Sequence, residues 1–390
     1  MANEIYHRSN WGNAVNDIAW GDVYQKFDAT NEMFIRSDNY ENSNETDKIM
    51  AAINPKPSIL LTPTAYDNGS LHTVKPVLSP FADFDFSRGT IATRVNEQGL
   101  IEDVTDTNLP RIDYTGGTGQ ILLEPQSTNL VTDSAGGNYG NNPGSEILTT
   151  APDGTNTAVR PVPDSTSDRY QYTISGGSYA TDSKLTYTWY RKRITTPIDT
   201  SHTGDLKIQI LVNCTQVGST TQIETDVNGF DRFQAVFNIT DGSAATLIRG
   251  YFGQSIGVGN SSIAYWGHQV EPLEFSTSLI PTSGSTSTRN ADVCNNAGSS
   301  DLINSTEGVL YAEIAALSDD GTNRSIALSD GGTSDRVNLL FDTSNNAIRS
   351  IVVSGSSTQF DQEYVVSSTT NYHKIAVKYK ANDFALWIDG

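Results

Sequence analysis

Residues 183–193 read SKLTYTWYRKR, and the pattern within this run decides the class of fold. Side chains on a strand alternate between faces. Leu185, Tyr187 and Trp189 therefore fall on one face, and Thr186, Thr188 and Tyr190 on the other. DRFQAVFNI at 231–239 repeats the pattern, setting Phe233, Ala235, Phe237 and Ile239 against Arg232, Gln234 and Asn238. DLKIQILV at 205–212 does so again, with Leu206, Ile208, Ile210 and Val212 turned one way and Lys207 and Gln209 the other. TLIRGYFG and SSIAYWGHQVEP follow. Period-2 strands separated by turn signals predict an all-β fold of antiparallel β-sandwiches.

Working back toward the N-terminus, SILLTPTAYDNGSLHTV reads as a hairpin turning at Asp67-Asn68-Gly69. DFDFSRGTIATRVNEQGLIEDV reads as another, turning at Glu97-Gln98-Gly99. Short strands at 111–114 and 120–124 flank the glycine-rich TGGTG at 115–119. A phosphate-binding loop would need Lys and Ser or Thr directly after the last glycine, then a helix. Here Gln-Ile-Leu-Leu-Glu-Pro follows, apolar, short and ended by Pro125. The dinucleotide fingerprint fails on the same ground. These glycines are expected to supply positive φ in a hairpin connection.

Residues 131–157 are turn-forming and predict a linker or long surface loop. The Ser/Thr/Asn tract after Ile280 predicts the next boundary. Seven further strands are expected beyond it: GVLYAEIAAL, RSIALSD, DRVNLLFDT, AIRSIVV, EYVVS, YHKIAVKYK and FALWIDG. The last two residues, Asp389-Gly390, are a hairpin signal, which predicts that the natural polypeptide continues.

Residues 1–57 differ in texture. Trp11, Trp20, Tyr24, Phe27, Phe34 and Tyr40 are scattered among Asn and Asp without a period. One short helix is expected at 47–53, capped by Asn44 and stopped at Asn54-Pro55. Aromatics without periodicity either dock on a partner or a second subunit, or pack back onto the neighbouring β domain. Trp11, Trp20, Tyr24 and Phe34 are the candidates for such attachment. The chain divides on this basis into 1–57, 58–130, 131–290 and 291–390. Its length of 390 residues fits roughly two to four domains.

Charge narrows the function classes. With 25 basic against 45 acidic residues, the net of −20 disfavours nucleic acid and anionic membrane as partners. No segment approaches the ~20 apolar residues of a membrane span. MANEIYHRSN lacks the basic start and apolar run of a signal peptide, so synthesis in the cytosol without the usual export is expected. Cys214 and Cys294 lie far apart, outside any C-x-x-C pair, and are read as two buried thiols.

Catalytic patterns are missing from the sequence. The five histidines, His7, His72, His202, His268 and His373, neighbour no G-x-S-x-G elbow, and H-E-x-x-H does not occur. Ser318-Asp319-Asp320-Gly321 and Asp83-Phe84-Asp85 carry oxygen ligands suited to a structural Ca²⁺, yet neither has EF-hand spacing, and turns explain both. No cofactor is expected. Sugar rings stack on aromatic faces, which makes Tyr170, Tyr172, Trp189, Tyr190 and Trp266 candidate glycan contacts. Core packing is the competing role for each. Alternation splits Trp189 from Tyr190, and Tyr265 from Trp266, so at most one of each pair is expected to face the core.

FDFSRGTIATRVNEQGLIEDV and NLPRIDYTGGTGQILLEPQSTNLV together resemble a segment recurrent in tail and receptor-binding proteins of tailed bacteriophages. The matching positions are Ser87, Arg88, Ala92 to Val95, Gly99 to Ile101, Pro110, Arg111, Asp113, Tyr114, Leu122 to Gln126 and Thr128 to Leu130. IAYWGHQVEPLEFSTSLIPTSGSTSTRNADV resembles the closing part of a jelly-roll module similar to carbohydrate-binding modules. YHKIAVKYKANDFALWIDG is similar to late strands of a concanavalin-like, laminin-G-type sandwich. IYHRSNWGN and RSDNYENSNETDK resemble starts of proteins from phages of Bacteroidetes-type hosts. The resemblance implies a homotrimeric tail fibre or similar virion appendage. Its N-terminus would attach to other tail or baseplate proteins, and its sandwiches would face a host glycan or receptor. A tailspike or polysaccharide-degrading enzyme with its catalytic part beyond residue 390 is the alternative. A cellular adhesin is disfavoured by the missing signal peptide.

Overall fold

The computed structural model describes residues 85–135, 145–162, 170–177, 179–194, 207–242, 246–252, 263–298 and 303–390, with Ile59, Ser300 and the short strands Ile5–His7, Lys26–Asp28, Met33–Ile35, Tyr66–Asp67 and Ser70–Leu71. Side chains are described within 85–135, 147–160, 179–194, 213–242, 263–298 and 303–390. The described part is all-β, built from antiparallel pairs and without a helix. The helix expected at 47–53 lies outside the described residues. Two compact units divide the chain, 1–297 and 298–390.

The unit 1–297 centres on a six-stranded sheet. Its order is Ser145–Thr149, Ala158–Val162, Ile263–Glu271, Lys184–Arg193, Phe230–Ile239 and Cys214–Val227. A second sheet orders Tyr170–Gly177, Thr246–Phe252 and Lys207–Val212. Two sheets of this kind are consistent with a sandwich. One face of the large sheet carries Leu185, Tyr187, Trp189, Ala235, Phe237, Ile239 and Tyr265, gathered with Val131 and Val270 in one buried cluster. This is the apolar face expected from alternation.

The opposite face departs from expectation, because it is buried too. Thr186, Thr188 and Tyr190 are as inaccessible as Leu185, Tyr187 and Trp189. Tyr190, Ala264, Trp266 and Phe230 form a second cluster with Val95, Ile101, Val227 and Leu279. The hairpin Ala92–Val95/Ile101–Val104 is what covers this face, and Thr93 Oγ1 donates to the Leu279 carbonyl at 2.6 Å. Alternation cannot report such a cover, since the covering residues come from outside the sheet. Both members of each aromatic pair face a core, correcting the expectation of one.

Turn chemistry behaves as read. Tyr66–Asp67 pairs with Ser70–Leu71 around Asn68-Gly69. Arg111–Asp113 pairs with Gln120–Leu122, and between them Gly116 and Gly117 hold φ of 84° and 85°. Gly99 closes its turn at 77°, where Asn96 Oδ1 accepts from the Gln98 and Leu100 amides. TGGTG is thus a hairpin connection leading into a strand.

Two composition-based boundaries are structured instead. Within the expected linker 131–157, Ser145–Thr149 forms an edge strand paired with Ala158–Val162. In the tract after Ile280, Ser287–Arg289 pairs with Ser127–Asn129, and Val293–Asn295 with Asp85–Ser87. Ser, Thr and Asn composition mimics a linker, whereas Arg289 and Asp292 are anchored by partners more than 150 residues away in sequence.

The described residues of the unit 298–390 contain seven strands; six lie where expected, and the one read at 363–367 runs instead over Ser357–Val365. Arg324–Ser329, Arg336–Phe341, Ala347–Ser354 and Ser357–Val365 form a four-stranded meander. Glu307–Ile314, His373–Lys380 and Ala385–Ile388 form a three-stranded sheet with His373–Lys380 central. Leu339, Phe341, Ile348, Ile375, Val377 and Tyr379 are its buried core.

Candidate functional site

Three of the residues that carry the sequence resemblance, Arg88, Arg111 and Glu124, meet in one buried charge cluster. Arg111 opens a strand and Pro110 precedes it; Glu124 closes the hairpin just before Pro125. Their side chains meet with Nη1 to Oε2 at 2.8 Å. Arg289 reaches the same Glu124 oxygen at 2.7 Å. Arg111 also bonds Asp292, which Arg88 touches at 3.2 Å. Ser278 donates to Glu124 twice, from its amide and from its hydroxyl, both at 2.7 Å. Glu124's own amide donates to Asp292 Oδ2 at 2.9 Å.

Such a cluster is stable only when complete, because burial of a lone charge costs several kcal/mol. Burial alone would raise the Glu124 carboxyl. The guanidinium groups of Arg289 and Arg111, with the Ser278 bonds, overcome that and hold it at about 2. Arg111 is shifted up, since Glu124 and Asp292 outweigh its own burial. Arg88, chiefly through burial, is shifted down. Both Glu124 oxygens are occupied by donors, so the cluster acts as a clasp joining 88–124 to 278–292.

A second set of buried polar groups extends the clasp into the sheet. Asn129 donates to the carbonyls of His268 and Ile280 and accepts from the amides of Val131 and Val270. Its amide group is fully used. Gln269 donates to Glu271, which accepts from the Thr277 amide at 2.9 Å. Arg232 joins Glu224 at 2.8 Å and the Thr277 carbonyl at 2.7 Å. Tyr187 and His268 share a hydrogen bond of 2.8 Å. Burial pushes the imidazole down to about 3, so it stays neutral.

Three of the aromatic glycan candidates lie inside this assembly. Trp189 is 3% exposed and stacks on Phe233 with ring centroids 5.9 Å apart. Tyr190 and Trp266, 2% and 3% exposed, meet each other at 5.8 Å on the other face. Trp266 Nε1 donates to Thr157 and Tyr190 to Glu224. Their ring faces are spent on packing, which removes them as surface contacts; core packing is the role the structure gives them. Tyr170 and Tyr172 sit on the strand Tyr170–Gly177, with side chains outside the described residues. Phe34 sits on Met33–Ile35, likewise without a described side chain, and Trp11, Trp20 and Tyr24 lie outside the described residues.

The possible cation ligands serve other ends. Asp320 chelates the Arg324 guanidinium with two 2.7 Å bonds, and Asp319 accepts from the Asn346 amide. Asp85 accepts from Asn296, while Asp83 lies outside the described residues. Among the described residues no group of three or more His, Cys, Asp or Glu is placed to hold a metal ion. Cys214 is buried and Cys294 half-buried, and both are free thiols. Burial pushes them up to about 11 and about 12.

Sequence reasoning passed over the aromatics that do reach solvent, Tyr311, Tyr364, Tyr372 and Trp387. Tyr311 and Trp387, in the unit 298–390, are 57% and 46% exposed. Their strands were expected, and period-2 reading of GVLYAEI and FALWIDG would have put both opposite the core-facing Leu310, Ala312, Leu386 and Ile388.

No protein-family model matches the chain, and no curated protein matches it.

Proposed function

We propose that this chain is a structural component of a tailed-bacteriophage appendage, a tail fibre or related receptor-binding part. Residues 1–57 attach it to other tail or baseplate proteins, the chain assembles as a homotrimer, and the β units present a surface to host glycan. The observation that carries the reading is the clasp: Arg88, Arg111 and Glu124, which lie in the phage-like stretches 84–104 and 108–131, are the residues buried against Arg289 and Asp292. The resemblance thus coincides with a rigid joint, which suits a part that transmits force between a particle and a surface. The sequence resemblances to jelly-roll and laminin-G-type modules, and the net charge of −20, support adhesion over nucleic-acid contact.

Mass spectrometry of purified particles tests this directly. The protein should be present at a stoichiometry that is a multiple of three, and antibody against it should block adsorption to the host. Its absence from particles would sink the proposal.

A further inference from the structure

Of the described tryptophans, Trp189 and Trp266 are buried and Trp387 is exposed. The strand register pairs Trp387 with Ala376, and Ala376 with Tyr311. An aromatic, a methyl and an aromatic therefore form one row across the outward face of the three-stranded sheet. Adjacent strands lie ~4.8 Å apart, so the two aromatic positions are ~10 Å apart, with Ala376 as a low floor between them. Inward neighbours Leu310, Ala312, Ile375, Val377, Leu386 and Ile388 supply the core, which leaves the row free of that task.

Of the flanking rows, one holds Glu313 and Lys374 and the other Val309, Lys378 and Ala385, and the charges around the aromatic row are balanced. Glu307 pairs with Lys380 at 2.7 Å and Lys378 with Asp383 at 2.6 Å. Glu313 faces Lys374 in the register, and the Lys374 amide donates to Asp389. A face whose charges are already matched offers no field to collect a polyanion or polycation. Its apolar part, two rings and Val309, is also narrow beside the ~800 Å² per partner of a stable protein interface. What it complements is a ligand with alternating apolar and hydroxylated surfaces, no net charge and a length near 10 Å.

We propose that Tyr311, Ala376 and Trp387 form a subsite for a neutral glycan of at least two sugar rings. Tyr311 and Trp387 each stack on the C–H face of a sugar, and Glu313, Lys374 and Lys378 meet the hydroxyls. The proposal rests on the adhesion reading for its biological setting, though its chemistry stands apart from it.

The test is a titration of the full chain, by calorimetry and tryptophan fluorescence, with cello-, malto-, laminari- and manno-hexaose as neutral probes and dextran sulfate as the polyanion. At least one neutral hexasaccharide should bind in the millimolar range or tighter. Tyr311→Ala and Trp387→Ala should each weaken it roughly tenfold. Ala376→Leu, which fills the floor on the outward face, should weaken it while leaving the melting temperature unchanged. Tyr364→Ala, removing an exposed ring on the other sheet, should leave binding intact. The subsite is overturned by absence of binding to every neutral probe at millimolar concentration, by preference for dextran sulfate, or by undiminished binding in the Tyr311/Trp387 double variant. Antibody-blocked adsorption without sugar binding would defeat the subsite alone. Sugar binding by a chain absent from particles would defeat the appendage reading alone.

Discussion

In the unit 1–297 the principal ion pairs are buried, with Arg111, Arg289 and Glu124 at most 4% exposed. In the unit 298–390 every described Arg or Lys ion pair keeps a solvated cation, even where Asp342 itself is buried, over a core of aliphatic and aromatic side chains. Arg349 and Asp361, for example, share two 2.7 Å bonds while both remain substantially solvated. The difference follows from what each must join. Meander strands in 298–390 meet neighbours in the chain, and apolar burial suffices for that. The clasp joins segments up to 204 residues apart, where a non-directional apolar contact would leave register open. Directed guanidinium–carboxylate bonds specify it.

Removing the carboxylate at the centre of the clasp should break this contrast most severely. Glu124→Ala strands Arg111 and Arg289 without their shared partner, and should cost about 3–5 kcal/mol. Hydrogen exchange should rise in peptides from 88–131 and 263–295 and stay unchanged in peptides from 307–388. The same residue sets an acid limit. Its folded value near 2 lies below the ordinary 4.5, so its stabilisation is complete above about 4.5 and is lost as pH falls toward 2. Denaturant titrations across that window should show a loss of stability in the wild type that is diminished in Glu124→Ala.

A smaller effect tests the double burial of the large sheet. Gly267 holds φ of +64°, and a Cβ there would lie 2.6 Å from Tyr190 Cδ2. It sits where the pairing of Ile263–Glu271 with Lys184–Arg193 shifts register, a bulge in its own strand that lets Tyr265 and Val270 share one buried face. Gly267→Ala should cost about 1–3 kcal/mol from backbone strain and the ring displacement, seen as a lowered denaturant midpoint. The mildest outcome belongs to the other unit. Asp361→Ala should change stability by about 0–1 kcal/mol, because its pair with Arg349 is solvated, and high salt should erase even that difference. A loss as large as that of Glu124→Ala would collapse the distinction between the two units.

Much of the architecture was legible because it depends on neighbours in the chain. Glu-Gln-Gly and Thr-Gly-Gly-Thr-Gly announced their turns, since glycine adopts positive φ without strain, as Gly99, Gly116 and Gly117 do. Alternation located the strands Lys184–Arg193, Lys207–Val212, Phe230–Ile239, Thr246–Phe252 and Ile263–Glu271, but not Ser145–Thr149, Ala158–Val162, Tyr170–Gly177 or Cys214–Val227. It failed at Thr188, Tyr190 and Trp266, where a half-buried strand was expected and a hairpin from residues 92–104 covers the second face. It also missed Tyr311 and Trp387, although the same period placed them on the outward side.

Local chemistry, then, dictated the all-β character of the described residues, where they turn, and that Gly116 and Gly117 bend backbone in a hairpin. Folding alone decided which arginines and carboxylates would meet, which aromatics would vanish into a core and which would stand in solvent. The physical reason is range. Backbone conformation answers to steric limits within a few residues, whereas burial and charge pairing depend on segments brought together from hundreds of residues apart.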